Sequence, residues 1–230
     1  SKEATVTGNL HVTTIRSDSN VVTEYTGPHD RPLRKYPEVA MTADAETASG
    51  YNGYKVTVSG FVNGANSPWK AFNGIDYEVG MLLGTVPGDP LNYDTNGNAN
   101  TTGTTASRLS SSDSTPYGEW LKLELPNKIK LDRYVFTSRN HVTHWAQSPE
   151  AGQVWGSNDD LNWTHLHTFT GSGFTGPSQS TSFNVQTDNY YKYYAFIVTK
   201  TFAVGIDYYL CVPELEYYGH EEGSGSLDTT

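Results

Sequence analysis

The stretch from Gly118 to Pro149, GEWLKLELPNKIKLDRYVFTSRNHVTHWAQSP, constrains the fold of this chain more than any other. Leu121, Leu123 and Leu125 alternate with Lys122 and Glu124, and a period of two marks a strand with one buried face. Pro126-Asn127 interrupts the alternation, and Ile129 and Leu131 restart it. Around Asp132-Arg133 the apolar parity moves to Tyr134 and Phe136, which predicts a bulge or a tight bend. A loop follows that carries Arg139, Asn140, His141, His144 and Trp145. Core strands therefore deliver a dense set of hydrogen-bond donors and one indole to a single loop.

The rest of the chain supports the same class. Sixteen tyrosines and eight phenylalanines favour strands, and long stretches of period 3.6 are missing. An all-β fold follows. Within 230 residues it takes the form of one large β domain with appendages, or of two small ones. The formal net charge of −10 repels phosphate backbones and anionic lipid, so nucleic-acid and membrane-surface binding are disfavoured. No apolar run of about 20 residues is present to span a bilayer, and no signal peptide is seen. The lone cysteine, Cys211 in YYLCVPELEYY, reads as a small buried apolar residue.

Taken in order, residues 1–36 alternate β-branched and polar residues with too little apolar content for a core of their own. They read either as a disordered leader or as an oligomerisation strand. TVTGNLHVTTI is similar to the repeats of viral and phage fibre shafts, which implies a homotrimer. From residue 37 a compact domain is expected. Val39–Met41 and Lys55–Val58 read as strands, and SPWKAFNG packs Trp69, Ala71 and Phe72 before turning at Asn73-Gly74. Residues 84–116 hold few large apolar side chains and read as a long loop. Trp163–Phe169 alternates, Gly171–Gln179 is a turn, and Tyr190–Thr199 and Tyr208–Tyr218 close the domain. Residues 220–230 read as an acidic Gly/Ser linker. A start at Ser1 without Met suggests a processed piece, with further domains of the parent chain after the linker.

Several anchors in order carry a resemblance: SPWKAFNG, EWLKLELP, IKLDRYVFTSR, GSNDDLNWTHL, YYKYYAFIVT and ELEYYG. Together they resemble the discoidin, or coagulation-factor type C, domain and its bacterial relatives, the family 32 carbohydrate-binding modules, over roughly residues 37–219. The resemblance implies a β-sandwich jelly roll of the galactose-binding-domain-like type, with binding loops at one end. The chain departs from the clotting-factor branch, which ties its ends with a disulfide, and in the length of the 84–116 insertion.

The resemblance also implies a calcium ion, held near a turn written A-F-D-G by backbone carbonyls, the Asp and a Glu of the final strand. Here the turn is Ala71-Phe72-Asn73-Gly74, and the implied set is Lys70, Asn73, Asp76 and Glu214. Asn73 supplies oxygen without charge, which weakens the site unless Asp76 compensates, and the competing reading is a turn closed by Asn-Gly with Glu214 bonding backbone amides. Sugar sites of the family use Arg, His, Asn and an aromatic on the end loops, which implies a glycan site at Arg139, Asn140, His141, His144 and Trp145. Planar donors suit sugar hydroxyls, and an indole suits the apolar face of a sugar ring. Phe61, Asn63, Phe202, Asp207 and Tyr208 are expected as second walls.

Other constellations are weaker. His165 and His167 share a face of an alternating strand, but no third ligand stands at useful spacing. The pair His141 and His144 fares little better. Asp159-Asp160 and Glu221-Glu222 are adjacent acids of the solvated kind. No catalytic motif is present, so no enzyme is expected. The expected role is non-catalytic attachment to cell-surface glycans within an adhesin or viral fibre protein, extracellular or on the virion surface. The alternative is a structural fibre or capsid component whose sandwich mediates assembly.

Overall fold

The computed structural model describes residues 29–43, 53–60, 67–77, 82–83, 93–101, 108–110, 115–202 and 209–223. Its strands are β1 (His29–Asp30), β2 (Arg34–Tyr36), β3 (Lys55–Val58), β4 (Leu82–Leu83), β5 (Glu119–Thr137), β6 (Pro149–Ser157), β7 (Trp163–Thr170), β8 (Ser180–Asn184), β9 (Tyr191–Thr201), β10 (Leu210–Cys211) and β11 (Glu214–Gly223). Every ladder is antiparallel. Among the described residues the helical elements are 3-10 turns, Pro68–Phe72 and Trp145–Gln147.

The 19-residue β5 organises the sheets. Its first half pairs with β3 on one side and β9 on the other, and β6 and β7 continue that layer. Its second half pairs with β8 and β11, and β11 carries β1 and β2. Exposed Pro126-Asn127-Lys128 forms the corner between the halves, because proline cannot donate to a ladder and is tolerated only where pairing lapses.

The two layers meet face to face. Leu121, Leu123, Val154, Phe169, Tyr194 and Phe196 point inward from one, and Leu131, Tyr134, Phe136, Leu215 and Tyr217 from the other. Phe136 lies 5.3 Å from Phe196 and 5.2 Å from Phe169, and Tyr194 lies 5.4 Å from Tyr217, measured between ring centroids. Aromatic pairs at these separations add about 0.5–1.5 kcal/mol each beyond area burial. The molecule is an all-β sandwich. A smaller cluster of Trp155, Trp163, Ala195 and Ile197 covers the outer face of the β6–β9 layer, with Trp120 and Tyr193 against it.

The parity shift in β5 is a bulge. Tyr218 stands opposite Arg133 and Gly219 opposite Leu131, so Asp132 has no counterpart on β11. Its carbonyl instead accepts the N–H groups of Val185 (2.7 Å) and Gln186 (3.0 Å). Only glycine fits at 219, where a Cβ would stand 2.5 Å from the Lys130 carbonyl oxygen.

Other segments differ from expectation. Val39–Met41 is irregular rather than a strand, yet Met41 is buried and its N–H donates to the Phe72 carbonyl. β8, polar and with only Phe183 pointing inward, escapes the sequence pattern because its outer face is serine and asparagine. β1 and β2 precede residue 37, and β11 runs on to Gly223, so the sheets take in residues on both sides of the expected 37–219 span. Within the 84–116 insertion, Tyr93 bridges Ala99, and this hairpin binds the end of β9. Ala99 N–H donates to the Thr199 carbonyl and Thr201 N–H to the Gly97 carbonyl, both at 2.9 Å.

Candidate binding site at one end of the sandwich

Register fixes which elements share an end. Pro149, the start of β6, stands opposite Thr201, and Val198 stands opposite Glu119. Both ends of β5, the start of β6 and the end of β9 therefore meet at the 138–148 loop. The 73–77 turn joins them, because Asn140 N–H donates to the Asp76 carbonyl at 3.1 Å.

The loop is held from within. Arg139 N–H donates to Ser148 Oγ (3.2 Å), and Arg139 Nη1 donates to Gln147 Oε1 (2.9 Å). Gln147 Nε2 lies 3.0 Å from His144 Nδ1. His141 Nδ1 accepts the backbone N–H groups of Thr143 and His144, both at 3.3 Å. The two imidazoles lie 4.2 Å apart between centroids. Withdrawal from water first, then His144 and Arg139, lowers the pKa of His141. Asn140 to Thr143 are exposed, and Val142 at the tip is 78% exposed.

Trp145 is half-buried, edge-on to Phe202 with centroids 5.5 Å apart. Phe202 in turn lies 6.2 Å from Phe174. One aromatic pair thus spans the loop and the end of β9, anchored on the core. Of the expected second walls, Phe202 is brought to the loop, whereas Phe61, Asn63, Asp207 and Tyr208 lie outside the described residues. Two residues were missed by the sequence reading. Tyr77 is 64% exposed beside the Asp76–Asn140 contact, and Gln147 is 3% exposed at the centre of the loop. An exposed aromatic following a packed turn was the one available signal for Tyr77.

The 70–76 turn closes against β11. Gly74 N–H donates to Glu214 Oε2 (2.8 Å), and Ile75 N–H donates to Asn73 Oδ1 (2.9 Å). Glu214 is 8% exposed, and burial pushes its carboxyl up to about 8. Lys70 Nζ lies 5.7 Å from the Trp69 ring, away from ligation by its side chain. Among the described residues no three His, Cys, Asp or Glu side chains gather as a metal cluster. The oxygen groups of the turn are the Glu214 carboxylate and the Asn73 amide, each accepting a backbone N–H, and the Asp76 carbonyl, which accepts from Asn140; oxygen donors of this kind suit calcium rather than zinc.

His165 and His167 do not share a face, as the alternation suggested. Trp155 pairs with His165 and Val154 with His167, so Leu166 is an extra residue. His165 packs edge-on to Trp155 on the outer face, at 5.2 Å between centroids. His167 Nδ1 instead meets Tyr134 Oη at 3.0 Å on the inner side. The bulge separates them and removes any shared ligand geometry. At the corner end of β5 an open groove is lined by Arg31, Pro126, Lys128, Lys192 and Glu222. Among the described residues that line it there is no aromatic ring.

The fold is a galactose-binding-domain-like β-sandwich, with the 138–148 loop and the 73–77 turn gathered at one end. The F5/8 type C domain of a Bacteroides fragilis protein is similar, with a TM-score of 0.50 over 74% of this chain and 93% of that one, at 10% identity. A family 32 carbohydrate-binding module, CBM32-3, from a family 31 glycoside hydrolase of Clostridium perfringens gives 0.49 over 71% and 88%, at 13% identity. The family 32 module of C. perfringens NanJ, solved with galactose, gives 0.46 over 72% and 93%, at 11% identity. Likeness at such identities is one of fold. Comparison with family models and with curated proteins finds no match.

Proposed function

We propose that this domain is a non-catalytic carbohydrate-binding module whose site is the 139–145 loop. The observation that carries the reading is the convergence of donors and rings there. Arg139 and His144 are tied through one buried amide, Asn140 and His141 stand at the exposed tip, and Trp145 packs on Phe202 beside them. Of the five N–H donors of a guanidinium, the contact to Gln147 occupies one, which leaves Arg139 donors for vicinal hydroxyls. A half-exposed indole supplies the apolar platform that a sugar ring needs.

The reading extends to attachment to cell-surface glycans from an adhesin or viral fibre protein, extracellular or on the virion surface. The fibre-like sequence TVTGNLHVTTI supports this, with homotrimerisation through the segment ahead of β1, since β1 and β2 are already paired with β11. A calcium ion at the turn, held by Glu214, Asn73, Asp76 and backbone oxygens including that of Lys70, is part of the proposal. Glu214 supports it, as a buried carboxylate that a cation would keep ionised.

A glycan array probed with this chain, with and without calcium, tests the proposal. Discrete hits lost in Arg139→Ala support it. A blank array at high protein concentration overturns it in favour of an assembly role.

A further inference from the structure

We infer that Gln147 is a positioning residue of the loop, fixing both the Arg139 guanidinium and the proton of His144. The inference rests on the glycan reading of the same loop. Gln147 closes the 3-10 turn Trp145–Gln147, and its N–H donates to the His144 carbonyl at 3.1 Å. That turn directs its side chain inward, where it is 3% exposed.

The chemistry of the three groups leaves one arrangement. A guanidinium only donates, so the Gln147 atom 2.9 Å from Arg139 Nη1 is the amide oxygen. The other amide atom is then the nitrogen, which donates to His144 Nδ1 at 3.0 Å. An imidazole nitrogen that accepts carries no proton, so neutral His144 holds its proton on Nε2. His141 is set in the same sense, because its Nδ1 accepts from two backbone N–H groups. Both rings of the loop are thereby held as Nε2–H donors, and Arg139 is anchored beside them. A site built to bind hydroxyls by donation needs this polarity, and a buried amide bonded through both its oxygen and its nitrogen supplies it without adding charge beside three basic groups.

Nitrogen-resolved NMR of the histidine rings at pH 8 without sugar tests the wiring directly. The expected result is His144 in the Nε2–H form, and an Nδ1–H ring in the wild type overturns the inference. In Gln147→Glu the new side chain accepts at both oxygens, so Arg139 stays bound and the His144 proton moves to Nδ1. Array hits of the wild type, probed with galactose- and N-acetylglucosamine-terminated oligosaccharides, then weaken about tenfold, the scale of one hydrogen bond. Gln147→Met, which keeps the volume and removes both contacts, gives a similar loss. Unchanged binding in both variants overturns the positioning role. A wild type with the expected tautomer but no array hits removes the glycan reading and leaves the wiring standing.

Discussion

Asn140 donates its backbone N–H to the carbonyl of Asp76 at 3.1 Å, joining the tip of the donor-rich loop to the turn that closes on Glu214. This main-chain contact joins the two expected sites, and order imposed on the turn would reach the loop through it.

Chelation should lower both stability and glycan affinity. A ligand present at a hundredfold its dissociation constant stabilises the native state by about 2.7 kcal/mol, or roughly 5–10 °C in melting temperature for a chain of this size. Thermal melts with excess calcium and with chelator measure the first effect, and the array repeated in chelator measures the second. Identical melts would remove the calcium claim.

Without calcium, stability should fall as pH rises from about 4.5 to about 8. Burial raises the Glu214 carboxyl from 4.5 to about 8, so the native state keeps a proton that the unfolded chain releases, and stability declines wherever the native state binds more protons. Glu214→Gln keeps an oxygen for the Gly74 N–H and has no proton to lose. The difference in melting temperature between wild type and variant, measured in chelator from pH 5 to pH 8, should widen toward high pH. A constant difference would refute the assignment.

Arg139→Ala and Trp145→Ala should part company. The arginine contacts one glutamine, and its loss removes glycan binding with a small change in melting temperature. The tryptophan packs on Phe202 and against the core with half its surface, so its loss lowers stability by about 1–2 kcal/mol as well. Denaturant unfolding beside array binding separates the two.

Acid should release the ligand. His141 Nδ1 accepts two backbone N–H groups, and a proton there removes both contacts and sets a cation beside His144 and Arg139. The lowered pKa of His141 means that the native state binds fewer protons than the unfolded chain. The contribution of this ring is complete above about pH 6.5 and is lost as pH falls through its folded value. Binding should hold from pH 8 to pH 7 and drop by pH 5, a drop that His141→Asn should flatten.

Much of this was readable from the residues because burial on one face writes itself as period two. Leu121, Leu123, Leu125, Ile129 and Leu131 all point inward, and the parity break at Asp132-Arg133 is the bulge. The same rule failed in β7, where an unmarked bulge at Leu166 sends His165 and His167 to opposite faces. No local residue type announced it, because register there is dictated by β6. β8 was silent for another reason, since an edge strand with a polar outer face needs only Phe183 inside. At the loop the donors were legible as residue types. Gln147 was not, because an amide in WAQSP gains its meaning only from what stands on either side of it in space.

One strand serves both layers of the sandwich, so neither layer can open alone while β5 stays paired. Amide hydrogens of Leu121, Leu123, Leu131 and Tyr134 should all exchange with solvent at the single slow rate set by global unfolding. The end loops, tied by isolated main-chain contacts, should exchange orders of magnitude faster. Recognition and cohesion would thus run on separate clocks within one short chain.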